Sequence, residues 1–212
     1  ANTDTVDPNK NVEDQLDEGK DFENRSVSHP YEPGSVAKVV TAAAALQEGV
    51  TTPDEVHQVP GSIDMAGVTV NDAWEHGTEP YTTTGIFGKS SNVGTLMIAD
   101  KLGQEKYAEY LKKFGLGNTT GIELPNESAG SVPDLEQWSG GTFANLPIGQ
   151  GQSWTTLQMA SVYQALANGG ERIEPRIIDS VKGPDGKDEK LEEPEKNQVV
   201  SPETAKTTVD MF

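Results

Sequence analysis

Cysteine is absent from the chain. No disulfide framework and no thiolate metal site can form, and the lack suits an extracytoplasmic protein without requiring one. No apolar run approaches the roughly 18 residues that a membrane-spanning helix needs. No leader segment is visible, so any address or anchor is expected outside this sequence. Positive charge is scarce: 16 Lys and Arg stand against 34 Asp and Glu, a formal net charge of −18. This argues against nucleic acid as a partner, because phosphate backbones are bound by Lys and Arg. It argues equally against electrostatic docking on anionic lipid. Most of the acids serve solubility. The three histidines, His29, His57 and His76, have no metal-ligand spacing. Gly149-Gln150-Gly151 lacks the further glycine and the preceding strand of a phosphate loop. Asp185, Asp188 and Glu189 lack the calcium-loop pattern.

What is present reads as a globular chain of 212 residues with long loops, 22 glycines and 13 prolines among them. Residues 1–28 are polar and acidic and are expected to form an irregular lead-in. Residues 29–49 lead into a helix that ends at Glu48-Gly49, glycine being the usual terminator. Ile63-Asp64-Met65 and Val68-Thr69-Val70 alternate about Ala66-Gly67, which predicts a small hairpin. Asp72 to Gly77 reads as a loop with an aromatic anchor, Trp74. Between 82 and 114 the pattern predicts a short helix, a break at Ser90-Ser91-Asn92, and two further helices. Tyr107, Tyr110, Leu111 and Phe114 recur at helical spacing in the last of these. Residues 118–152 show no periodicity, and loops of that length are usually functional. A strong helix is expected over 155–168. An extended stretch follows over 173–181, then a charged protrusion over 185–197. A last helix starts from Ser201-Pro202.

Two constellations carry chemistry. In Glu32-Pro33-Gly34-Ser35-Val36-Ala37-Lys38 a turn delivers a serine to a helix start, with a lysine at i+3 on the same face. Val36 to Leu46 is apolar or small nearly all round, which marks a buried helix. Lys38 is its single charge. Burial lowers a lysine's pKa, and a serine beside a base is a nucleophile. The residues alone allow a second reading, in which Ser35 is a plain N-cap and Lys38 snorkels to solvent. The other constellation is Ser90 and Asn92, two apart and facing one side if extended. They can present a hydroxyl and an amide to a shared cleft, or simply cap a helix.

Ser-x-x-Lys followed by Ser-x-Asn resembles the active-site set of penicillin-binding proteins and serine β-lactamases. The flanking segments are more specific. Tyr31 to Ser35, Lys89 to Thr95, Phe114 to Gly117 with Thr120 to Pro125, and Gly149 to Gly151 leading into Thr155 to Ala160 are similar to class B (monofunctional) penicillin-binding proteins. The run from Asp72-Ala73-Trp74-Glu75-His76-Gly77 to Thr142-Phe143-Ala144-Asn145-Leu146-Pro147 looks most like the division-type enzymes of actinobacteria. The family's third motif, Lys-Thr-Gly or Lys-Ser-Gly, is absent; Lys206-Thr207-Thr208 lacks the glycine.

The resemblance implies an α+β fold. This chain would be mainly the helical part of a penicillin-binding protein/serine β-lactamase-like domain, with most central-sheet strands outside it. It implies a peptidoglycan D,D-transpeptidase that works through an acyl-serine intermediate, with Ser35, Lys38, Ser90 and Asn92 as catalytic residues and no metal or organic cofactor. It implies stem peptides and β-lactams as ligands, cell-wall or divisome proteins as partners, and a place at the extracytoplasmic face of the cell membrane. It also leads to the expectation that these residues alone are impaired in activity and poorly stable.

Overall fold

The computed structural model describes residues 6–20, 22–189 and 191–212. Residues 1–5 and Asp21 of the expected lead-in, and Lys190 of the expected protrusion, lie outside them. The lead-in is not irregular throughout. It contains two short helices, α1 (Val12–Asp17) and α2 (Arg25–Ser28). Each is capped by an asparagine: Asn11 accepts from Glu13 N, and Asn24 accepts from Ser26 N. These helices have no apolar stripe, so periodicity could not signal them. What ties α1 down is Gln15, a buried amide that accepts from Asp7 N and donates to Asp7 O.

A 3₁₀ turn, Gly34–Ala37, runs directly into α3 (Lys38–Gln47). Residues 38–45 are all buried. Their small side chains let neighbouring helices approach from several sides, which suits a helix without one polar face. Beyond it come β1 (Val56–Val59), β2 (Ser62–Met65), β3 (Val68–Asn71) and β4 (Glu79–Thr82). The hairpin β2–β3 pairs Ile63 with Val70. Its turn residues Ala66 and Gly67 both have positive φ, as a tight two-residue hairpin requires. The pair β1–β4 was not legible in the sequence. The inward positions of β1 are His57 and Val59, so a histidine occupies a core position and hides the alternation. Its partner strand carries Pro80.

Helices α4 (Thr83–Gly88), α5 (Asn92–Leu102) and α6 (Gln104–Lys113) follow. The long glycine-rich stretch holds two 3₁₀ turns and one short helix, α7 (Gly140–Phe143). It is ordered by buried amides. Gln158 Nε2 donates to Asn118 O and Ala129 O, while Gln158 Oε1 closes a capping box with Thr155 at the start of α8 (Thr156–Ala167).

The remaining elements are β5 (Glu171–Ile173), β6 (Val181–Lys182), β7 (Asp188–Glu189), β8 (Lys196–Gln198) and α9 (Pro202–Met211). The end of the expected protrusion is anchored rather than free. β8 pairs with β5, and Asn197 Nδ2 donates to Lys113 O. Among the described residues the strands pair only two by two, all antiparallel. The main core gathers α3, α5, α6, α8 and α9 around Tyr107, Phe114 and Trp154.

Candidate active site

The turn that carries Ser35 is held from the outside by the 149–154 segment. Gly34 N donates to Gly149 O at 3.0 Å, and Gly151 N donates to the Glu32 carboxylate at 2.9 Å. Tyr31 and Trp154 exchange backbone hydrogen bonds at 3.0 Å each. Gly149 has a φ of +83°, and a Cβ there would stand 1.9 Å from Gly34 O. No residue but glycine fits against the Ser35 turn at this point. Sequence reading did not assign Gly149 or Glu32 a part in the site. The signal was present only as Gly-x-Gly within an aperiodic region, and the contact spans more than 100 positions.

Ser35 is exposed, and its 3₁₀ turn closes with the Lys38 N–H donating to Ser35 O, which fixes the backbone of the two residues one 3₁₀ turn apart. Lys38 itself is 1% exposed. The sequence reading has its amine reaching the Ser35 oxygen. Instead the hydrogen bonds of Nζ cross the cleft. It donates to Ser90 O at 2.6 Å, to Ser90 Oγ at 3.0 Å and to Asn92 Oδ1 at 2.7 Å. Among the described residues none joins it to Ser35 Oγ. Burial lowers the Lys38 pKa to about 8, and the charge of Asp72 works in the opposite direction.

Ser90 presents two oxygens to the amine because of how α4 ends. Ser90 N donates to Phe87 O and Ser91 N to Ile86 O, the paired closing bonds of a Schellman motif. Glycine is the usual residue at the left-handed position of that motif. Here it is Ser90, with φ +58°. The chain then turns straight into α5, with Ser91 as N-cap and Asn92 as first residue. Lys38, Ser90 and Asn92 thus meet directly from two helix junctions, with Ser35 on the turn that enters the first. Among the described residues no group of three or more His, Cys, Asp or Glu is placed to hold a metal ion.

The penicillin binding protein transpeptidase domain family matches residues 1–212. The chain belongs to this family. It is 58% identical over all of its 212 residues to penicillin-binding protein PbpB of Mycolicibacterium smegmatis, and spans 32% of that protein. The fold is similar to the crystal structure of penicillin binding protein 3 from Mycobacterium tuberculosis complexed with aztreonam. There the TM-score is 0.94 with 57% identity, covering 98% of this chain and 46% of that one. Peptidoglycan D,D-transpeptidase FtsI of Escherichia coli K12 is 32% identical over 148 residues, 69% of this chain and 24% of FtsI. The transpeptidase-domain chain therefore spans about a third of the length of the PbpB relatives it matches. No helix among its described residues is long and apolar enough to cross a membrane.

Proposed function

We propose that this chain carries the nucleophile side of a peptidoglycan D,D-transpeptidase site, with Ser35 as nucleophile and Lys38 as its base. The observation that carries the reading is one buried, pKa-lowered amine, three residues on from an exposed serine, that is hydrogen-bonded to Ser90 and Asn92. Neutral Lys38 takes the proton from Ser35 Oγ. The oxygen attacks the carbonyl between the two terminal D-alanines of a stem peptide. The Ser35 backbone N–H meets the negative charge on the carbonyl oxygen. The peptide C–N bond breaks, the leaving D-alanine nitrogen takes the Ser90 hydroxyl proton, and Lys38 returns a proton to Ser90. The amine of a second stem peptide then attacks the ester carbonyl and gives a proton to Lys38, and Ser35 Oγ leaves and takes that proton back. A β-lactam carbonyl meets the same serine and stays attached. Stem peptides, cell-wall synthesis partners and an extracytoplasmic location belong to this same reading.

A fluorescent penicillin tests it on the full-length protein. Stable labelling that disappears in Ser35→Ala is the expected result. Rapid loss of the label would indicate β-lactam hydrolysis instead. No labelling at all would favour a non-catalytic fragment of the same fold, the reading suggested by the absent Lys-Thr-Gly motif.

A further inference from the structure

Behind the Ser90-Ser91-Asn92 loop, on the side away from Lys38, lies a second buried charge. Asp72 has a side chain that is fully buried, and its partner His76 is 3% exposed. Asp72 Oδ1 accepts from Val93 N at 3.0 Å. Asp72 Oδ2 accepts from Ser91 Oγ at 2.7 Å and from His76 Nε2 at 3.0 Å. The preceding residue contributes too, since Asn71 O accepts from Asn92 Nδ2 at 3.1 Å. Alternate positions of the loop therefore face opposite ways. Ser90 and Asn92 meet the Lys38 amine, while Ser91 and the Val93 N–H meet the Asp72 carboxylate.

This arrangement is more than a helix cap. Ser91 Oγ already caps α5 by accepting from Gly94 N at 2.9 Å. The carboxylate grips that same hydroxyl and the next free amide. His76 is in turn wedged in place. Its ring stacks on Trp74 with centroids 5.3 Å apart, and its backbone O abuts Gly61, where a Cβ would come within 2.2 Å. A buried carboxylate with three donors is tightly directional, and a polar group held on both sides has little freedom to drift.

We propose that Asp72, oriented by His76, is a positioning residue for acyl transfer: it sets the register of the Ser90–Asn92 loop against Lys38. The proposal rests on the transpeptidase reading above. Asp72 touches no reacting atom and acts through Ser91 and Val93. Its negative charge also faces Lys38 across the loop and opposes the effect of burial on the amine. Other titratable groups near it are His76 on its own loop and Tyr81 on β4, whose hydroxyl donates to Glu79. Lys89 stands beyond, 5.6 Å from the Trp74 ring and 5.0 Å from that of Tyr81.

The test is the second-order rate of acylation of the full-length protein by a fluorescent penicillin, measured across about pH 6 to 10. Asp72→Asn keeps the size and one acceptor but turns an amide N–H₂ towards Ser91 or His76. The expected result is a rate lower by on the order of 10- to 100-fold, as for a small misplacement of reacting groups. The pH midpoint should also move to lower pH, because the opposing charge is gone. A purely structural role would lower the melting temperature and leave the acylation rate on the high-pH plateau of the folded variant where it was. Ser91→Gly removes the hydroxyl and with it both the Asp72 link and the cap on Gly94 N, and glycine is tolerated at an N-cap. It should lower the rate less and leave the midpoint in place. Folded Asp72→Asn with the wild-type plateau rate would overturn the proposal, wherever its midpoint lies. If that variant does not fold, a wild-type rate in Ser91→Gly overturns it. Absence of labelling in the wild type defeats the acyl-transfer reading and this one together.

Discussion

Lys38 Nζ donates to three oxygens, and an ammonium has three hydrogens to give. In that state it has no lone pair for Ser35. Losing one proton opens the lone pair and leaves two donors to hold the amine on Ser90 and Asn92. With its pKa lowered to about 8, acylation should rise with pH through about 8 and level off above it. Below the midpoint the rate should fall about tenfold per pH unit; a flat profile there would count against Lys38 as base. The same shift bears on folding. Because the folded value lies below 10.5, the unfolded chain binds the proton more tightly. The stability tied to this group is complete above about 10.5 and is lost as pH falls through about 8. Ser90 offers a second comparison. Ser90→Ala and Ser90→Gly both lose the Oγ bond to Lys38 and should lose acyl transfer alike. The glycine variant also relieves the left-handed strain, so denaturant melts should find it more stable than the alanine variant by about 1 kcal/mol. The chemical types and spacing of these residues were readable from the chain. That Lys38 bonds the Ser90 carbonyl was not, because it depends on a φ that serine rarely adopts.

Among the described residues four helices end in the same closing motif, and their comparison shows where local preference yields. α1 ends at Gly19, α3 at Gly49 and α6 at Gly115, all glycines with positive φ. α4 ends at Ser90. Only at the cleft does the element abandon the residue its geometry favours, as functional sites commonly do. The helix ends at Gly49 and Gly115 were accordingly legible, whereas the geometry at Ser90 was not. A second element-level dependence lies in the 149–154 segment, which braces the Ser35 turn. Gly149→Ala would meet Gly34 O, which is backbone and cannot rotate away. It should destabilise the protein by about 1–3 kcal/mol and slow penicillin acylation on the order of 100-fold. Chemical denaturation and labelling kinetics measure the two effects. A variant acylated at the wild-type rate would show that the brace does not set the Ser35 position. The strand β1 was missed for an opposite reason: His57 occupies a core position by bonding Thr83 Oγ1 at 2.9 Å, so a polar residue satisfies the fold where an apolar one was sought.

Across the whole molecule the dominant long-range term is like-charge repulsion. The chain carries a formal net charge of −18, and exposed pairs such as Lys101–Glu55 and Lys113–Glu109 offset little of it. Raising salt from about 0.01 to 0.15 M shortens the screening length from about 30 to 8 Å. The melting temperature should rise by about 2–4 °C, the shift expected from roughly 1 kcal/mol at this size. A fall would mean that surface ion pairs outweigh the repulsion. At this scale the mixed α+β class followed from the element pattern together with the resemblance. The pairing of strands two by two, and the anchoring of the 196–198 segment on β5, are matters of long-range contact that periodicity does not carry.

The sequence by itself determined the chemistry available here. A serine and lysine share a helix start, a serine and asparagine share a helix break, and one cation lies within an otherwise apolar helix. These are local facts, set by spacing and burial along a few turns. Only the tertiary structure decided which groups meet: Lys38 with Ser90 and Asn92 across more than 50 positions, Gly149 with Gly34, and Asp72 with Ser91 and Val93. Such pairings arise because buried polar groups must find partners wherever the folded chain brings them, and no local pattern records which partner that is.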